Sequence, residues 1–208
     1  MNELDDRQVD RFRRARDDVL RQIAGAAARA GRSPDDVTLV AVSKTVPADR
    51  LRAAVAAGLT TLGENRVQEG ELKAAEVPGA TWHLVGPLQS NKARRALETF
   101  AVIQSVDSLD IARRLDTLAG STGAGRSPVL LQVNVDLDPG KAGFEPDALA
   151  GAAEALGSLE HLELRGLMTS AGSPRARRPR ARRSLPCASF RCGCARNGPG
   201  SAPSSRWA

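Results

Sequence analysis

The stretch LVAVSKTVP, residues 39–47, is a short apolar run that ends on a lysine. The four apolar residues at 39–42 are typical of a buried strand, and Pro47 marks the end of the segment. Lys44 is therefore expected at the carboxyl end of a strand. A buried ammonium group costs free energy there unless it is paired or used chemically. What this lysine does is the main question that the sequence raises.

A strand followed by a helix recurs along the chain. Apolar segments predict six strands, and a helical pattern follows every strand but the last. The strands are expected at 37–43, 61–64, 81–86, 101–107, 127–136 and 162–170, after a long N-terminal helix at 4–30. This alternation implies a parallel sheet, and it fits both a doubly wound α/β sheet and a (β/α)8 barrel.

Unusual polar side chains fall at the carboxyl ends of the predicted strands. In (β/α)8 barrels this end of the sheet carries the functional groups. The polar residues are Lys44, Glu64, Asn65, Ser105, Asp107, Asn134 and Thr169, with Met168 beside Thr169 and His83 inside the third strand. This placement favours the barrel over the doubly wound sheet.

Lys44 has two interpretations on this evidence. It is either an exposed strand-end residue paired with Glu64 or Asp107, or a partly desolvated amine with a lowered pKa. A neutral lysine amine forms a Schiff base with an aldehyde. The residue types alone leave both interpretations open.

The charge divides the chain into two segments. The whole chain has a net charge of +6, but nine arginines lie in residues 173–208, where there is no lysine, aspartate or glutamate. Residues 1–172 therefore carry 21 basic and 24 acidic side chains, a net charge of −3. We predict a folded domain at 1–172 and a disordered tail rich in Arg, Pro and Gly at 173–208.

Two features exclude a membrane or secreted protein. No run of 18 apolar residues predicts a membrane span, and the charged N-terminus lacks the apolar core of a secretory signal. We therefore expect a cytoplasmic protein with no membrane partner. The three cysteines, Cys187, Cys192 and Cys194, do not have the spacing of a zinc site, so we expect no metal.

Five strings of residues together resemble one known family. They are AVSKT (41–45), GENRVQE (63–69), WHLVGPLQSNK (82–92), VNVDLDPGKAGF (133–144) and LRGLMT (164–169). In this order they resemble the pyridoxal phosphate homeostasis proteins, the YggS/PROSC family, over about residues 4–171. The resemblance implies a TIM-type barrel similar to the N-terminal domain of alanine racemase, with pyridoxal 5'-phosphate (PLP) held as a Schiff base on Lys44.

The resemblance also implies a function. Members of the family are regarded as monomeric carriers and regulators of intracellular PLP rather than enzymes, with PLP-dependent apoenzymes as candidate recipients. A racemase-like enzyme is the alternative, although racemases of this barrel type use a tyrosine base and this chain has no tyrosine. A second alternative is nucleic-acid binding by the arginine-rich tail, which would act by charge alone and without sequence specificity.

The remaining candidate cofactor-binding residues each have a structural alternative. Asn65 either orients the cofactor ring or caps a helix, and His83 either donates toward the site or packs with one backbone partner. Ser105 and Asn134 stay equally open. Met168 is expected to pack near the ring, with core packing as its alternative.

The chain departs from the family after about residue 172. The family's seventh and eighth strands, which supply the phosphate cradle, have no counterpart in residues 173–208. We therefore expect a barrel that lacks strands seven and eight, with exposed edges at strands one and six that make it prone to aggregation.

A shifted reading frame would explain the departure. Codons for residues 204–208 and a following stop codon can be chosen that encode Leu-Ser-Met-Gly-Met, the strand-seven motif, in another frame. We expect a frameshift near residues 171–175, and gene codons that cannot give this motif would contradict it.

Overall fold

A computed structural model describes residues 6–123 and 125–170 of the chain. Strands and helices alternate along this part. The strands are β1 (Ala41–Val42), β2 (Thr61–Glu64), β3 (Thr81–Leu84), β4 (Val102–Val106), β5 (Ser127–Gln132) and β6 (Leu162–Met168). The helices are α1 (Asp6–Arg29), α2 (Ala48–Ala56), α3 (Val67–Glu76), α4 (Ala93–Thr99), α5 (Leu109–Thr122), α6 (Pro146–Gly151) and α7 (Ala153–Gly157). Single 3-10 turns lie at Pro34–Asp36 and Ser90–Lys92.

The order of strands in the sheet decides between the two predicted α/β folds. The described strands form one parallel sheet in the order β1-β2-β3-β4-β5-β6, so each strand pairs with its neighbour in the chain. A doubly wound sheet reverses its strand order at a switch point, whereas a (β/α) barrel does not. The described part of the chain therefore has the TIM-type order, as predicted.

The first strand is shorter than predicted. The sequence favours a strand over 37–43, but only Ala41 and Val42 pair, with Leu62 and Gly63 of β2. The apolar run at 37–43 thus contains β1, but residues 37–40 are outside the paired strand.

The ends of the helices follow the sequence signals in two of three cases. After α1, Gly31 has a φ of 64°, which is the left-handed conformation that a helix-ending glycine supplies. Ser108 caps α5, since its hydroxyl accepts a hydrogen bond from the Ile111 amide. The helix predicted over 145–156 is instead interrupted at Ala152, which separates α6 from α7.

The core lies between the sheet and its helices. Alternate strand residues point to this side and are less than 2% exposed, among them Leu62, Leu84, Ile103, Leu131 and Leu162. The intervening residues, including His83 and Gln104, face the other side of the sheet and are only half-buried. The alternation thus leaves polar groups on one face of the strands and at their carboxyl ends.

Several predictions concern residues 171–208, which lie outside the described part of the chain. They are the disordered basic tail, the frameshift, the loss of strands seven and eight, and the cysteines. Within residues 6–123 and 125–170, β1 and β6 are the outermost strands, and Val42 and Leu167 on them are 53% and 59% exposed. No helix within the described ranges combines the length and the apolar character needed to cross a membrane.

Candidate functional site

Lys44 lies in a tight turn immediately after β1. The turn is closed by a 3.0 Å hydrogen bond from the Val46 amide to the Ser43 carbonyl oxygen. The Lys44 side chain is exposed, and its amine has no hydrogen-bond or ion-pair partner among the described residues. It pairs with neither Glu64 nor Asp107, so the ion-pair interpretation of Lys44 is wrong. The described residues do not provide the partial desolvation assumed by the reactive interpretation either.

The buried lysine of this region is Lys73, one helical turn after Glu69 on α3. Its ammonium nitrogen lies 2.6 Å from Glu64 Oε1, 2.9 Å from Glu69 Oε1 and 2.9 Å from the Ser43 carbonyl oxygen. Glu64 is fully buried and Lys73 is 8% exposed. Since an ammonium group has three donors, Lys73 uses all of them within this cluster.

Two further hydrogen bonds tie the cluster to the turn that carries Lys44. The Thr45 amide donates to Glu69 Oε1 at 3.2 Å, and the Ser43 hydroxyl donates to Glu64 Oε1 at 2.7 Å. We call Ser43, Thr45, Glu64, Glu69 and Lys73 the Lys73 network. It holds the residues on both sides of Lys44, and it leaves the Lys44 side chain free.

The network shifts the pKa of two of its members. The hydrogen bond from Lys73 lowers the pKa of the Glu69 carboxyl below its ordinary value, and it outweighs the opposing effect of burial. Burial by itself lowers the pKa of Lys73, but hydrogen bonds to Glu64 and Glu69 reverse this and raise it above the usual value. Glu69 and Lys73 are therefore both charged across the neutral pH range.

Asn65 lies beside Lys44 because β1 and β2 are paired in parallel. The Ser43 amide bonds the Gly63 carbonyl, which brings the two strand ends level. The Asn65 amide donates to Glu64 Oε2 at 3.3 Å, and its half-buried side chain has no hydrogen-bond partner among the described residues. The side-chain amide of Asn65 is thus available to a ligand at the same strand ends.

His83 faces the polar side of the sheet rather than the core. The Gln104 side-chain nitrogen lies 2.8 Å from His83 Nδ1. Because an amide nitrogen only donates, Nδ1 is the acceptor and the ring proton sits on Nε2. Burial, with a smaller effect from the Arg165 charge, lowers the pKa of His83, so the ring is neutral at neutral pH. Its partner is a side chain, not the backbone.

Ser105 has an unusual environment in β4. It is fully buried, and its hydroxyl is the one buried side-chain polar atom in the described part of the chain that lacks a hydrogen-bond partner. An unpartnered buried hydroxyl costs free energy, so it calls for an explanation. It remains a candidate for a ligand contact.

Asn134 and Met168 lie at the far end of the sheet order from Lys44. The Asn134 side chain donates to the Asp138 and Lys141 carbonyls and accepts from the Asp138 amide, which closes the loop after β5. Its hydrogen-bonding groups are therefore used within its own loop. Met168 is half-buried at the end of β6, opposite Gln132.

The sequence did not single out Lys73 or Glu69. Both lie in or near the GENRVQE string, and a Glu–Lys pair four residues apart is the ordinary pattern of an exposed helix face. The available signal was that Glu64 and Glu69 both precede this lysine, the second by one helical turn. In the described residues, no three potential metal ligands come together.

The comparisons with known proteins agree with the barrel-type strand order. A family model described as alanine racemase, N-terminal domain, matches residues 16–185, so the chain belongs to that barrel family. Two curated relatives are named pyridoxal phosphate homeostasis protein: one from Pseudomonas aeruginosa, 47% identical over 154 residues, and one from Escherichia coli K12, 43% identical over 157 residues. Within the barrel family, the chain belongs with the pyridoxal phosphate homeostasis proteins.

The extent of the match is similar in sequence and in structure. Each of these alignments covers 72% of this chain and 66% of the relative, so the chain spans about two thirds of the length of the relatives. A solved structure of PipY from Synechococcus elongatus PCC7942, described as having PLP bound, is 46% identical with a TM-score of 0.62. That alignment covers 74% of each chain.

Proposed function

We propose that this chain binds PLP through Lys44 and acts in intracellular PLP homeostasis as a carrier. The observation that carries the proposal is the exposed, unpaired Lys44 amine at the end of β1, within a string that resembles the family's cofactor lysine. PLP-bound PipY, at 46% identity, supports the same cofactor.

The donor groups of the described residues fit the aldehyde and ring of PLP. Lys44 offers an amine without a partner, Asn65 offers a free side-chain amide beside it, and Ser105 has an unpartnered hydroxyl. When bound, PLP supplies an aldehyde carbon that an amine attacks, with loss of water. In the family that the chain resembles, strands seven and eight supply the phosphate cradle, and these strands have no counterpart in residues 173–208. The proposal therefore assigns only the aldehyde and ring contacts.

A carrier function agrees with an accessible lysine. An exposed amine leaves the bound aldehyde open to exchange with other amines, which is what transfer to PLP-dependent apoenzymes requires. The relatives are named for homeostasis and not for a reaction. We therefore propose a carrier and regulator, with apoenzymes as its recipients, and not a racemase.

Replacement of Lys44 by alanine tests the proposal. In a titration with PLP, the wild type should give a saturable visible absorbance band, and Lys44→Ala should lose it, because the attacking amine is gone. Borohydride reduction followed by peptide mapping should place the retained cofactor on Lys44.

Lys92→Ala is the matched control, because Lys92 is the other described lysine that has no polar side-chain partner. It should titrate like the wild type. A band that persists in Lys44→Ala, or a label that maps to Lys92 or Lys141, would overturn the assignment.

A further inference from the structure

Thr45, the residue after Lys44, has a strained backbone. Its φ of 63° lies in the left-handed region, which a β-branched residue rarely adopts. Such a conformation costs free energy and persists only where surrounding contacts enforce it. The question is which contacts hold this turn.

The Lys73 network supplies those contacts from two sides. Glu69 accepts the Thr45 amide at 3.2 Å, and Lys73 donates to the Ser43 carbonyl at 2.9 Å. The Ser43 carbonyl already accepts the Val46 amide that closes the turn. The turn is therefore bonded to charged groups immediately before and immediately after Lys44.

The network is anchored in the rigid part of the fold. Glu64 is fully buried at the end of β2, and Lys73 is nearly buried on α3. Glu64 also accepts hydrogen bonds from the Asn65 amide and the Ser43 hydroxyl, so the same carboxylate bonds residues at both neighbouring strand ends. A cluster that served only to attach α3 to β2 would not need its contacts to Ser43 and Thr45.

We propose that Glu64, Glu69 and Lys73 are positioning residues for Lys44. They hold the strained turn so that the Lys44 amine is presented at the carboxyl end of the sheet in one orientation. This inference rests on the proposed function of Lys44 and names the groups on which its geometry depends. None of the three side chains is assigned a contact with the cofactor.

Glu69→Ala is the most suitable test, because Glu69 lies at the edge of the network with its side chain 32% exposed. Hydrogen exchange without PLP should become about tenfold faster at the Thr45 amide, which loses a charge-assisted acceptor. The amount of PLP that borohydride fixes on Lys44, relative to the amount fixed on Lys92, should fall about tenfold. At metal sites, loss of a residue that orients a ligand has an effect of about this size or larger.

Two further variants separate positioning from stability. Glu69→Gln should restore both readouts, because an amide oxygen still accepts from Thr45 and Lys73. Glu71 lies on the same helix as Glu69, and Glu71→Ala breaks its ion pair with Arg95 of α4. This variant does not touch the turn, so it should leave both readouts unchanged.

Each outcome has a distinct meaning. If Glu69→Ala matches the wild type in both readouts, or if Glu71→Ala reduces Lys44 capture equally, the positioning role is overturned. If wild-type Lys44 captures no PLP, the proposed function fails, and the exchange rate at Thr45 alone then decides whether the network holds the turn.

Discussion

At the scale of single residues, position 86 requires a glycine, because the backbone of Asn65 lies in close contact with it. A Cβ atom at position 86 would lie 2.3 Å from the Asn65 carbonyl oxygen and 2.5 Å from the Asn65 Cα. Both are backbone atoms, which cannot move aside as the tip of a flexible side chain can. The absence of a side chain at position 86 thus lets the backbone of Asn65 pack directly against Gly86.

Gly86→Ala should therefore destabilise the fold by about 1–3 kcal/mol, the usual cost of overpacking. The free energy of unfolding in urea measures this. Gly151→Ala is the control, since a Cβ there meets nothing within 4 Å, and it should be neutral or slightly stabilising. Equal effects of the two substitutions would contradict the close-contact account.

Lys44 could be found from the sequence because an apolar run stops at it, but Lys73 could not. A lysine four residues after a glutamate on a helix is ordinarily solvated. Its burial depends on how α3 packs against the ends of β1 and β2, which is a tertiary property. The sequence also could not identify Gln104 as the side-chain partner of His83, because Gln104 lies on the neighbouring strand.

At the scale of elements, the cap of α5 is a local feature with a measurable contribution. The Ser108 hydroxyl accepts from the Ile111 amide and satisfies one of the free donors at the start of the helix.

Ser108→Ala should cost about 1 kcal/mol of stability, as loss of an N-cap usually does. Thermal and urea unfolding check the value. Ser121→Ala is the matched substitution, because Ser121 bonds only the Leu118 carbonyl within the same helix. A loss at Ser121 as large as that at Ser108 would refute the capping role.

The existence of each described strand was predictable, but strand length and pairing were not fully so. An apolar run shows that residues 37–43 can form a strand, whereas pairing with β2 includes only Ala41 and Val42. In the same way, composition favours one helix over 145–156, and the backbone at Ala152 divides it.

At the scale of the whole domain, the Lys73 network makes stability depend on pH at both ends of the range. The lowered pKa of Glu69 gives a contribution that is complete above its ordinary value of 4.5 and is lost as the pH falls. The raised pKa of Lys73 gives a stabilising contribution that is fully present below the ordinary lysine pKa of 10.5 and is lost as the pH rises beyond it.

Glu69→Gln should reduce the loss of stability at acid pH, because the carboxyl group that titrates there is gone. The loss of stability at alkaline pH should persist, because Lys73 still pairs with Glu64. The urea midpoint, followed from below pH 4.5 to above pH 10.5, measures both limbs. An acid limb as steep in Glu69→Gln as in the wild type would contradict the assignment to Glu69.

The sequence narrowed the fold to two candidates, and the polar strand ends favoured the right one. Alternating strands and helices look the same in a barrel and in a doubly wound sheet. The difference lies in which strands pair, such as Thr61 with Thr81 and Ser127 with Leu162. Pairing of this kind is set by packing over many residues, so only the structure settles it.

The sequential strand order has a consequence for synthesis of the protein. The partner of each described strand after β1 is the strand that left the ribosome just before it. Among the described strands, none after β1 has to wait for a later segment to find its first partner. The sheet can therefore grow by one strand and one helix at a time from its N-terminal side, while later parts of the chain are still being translated.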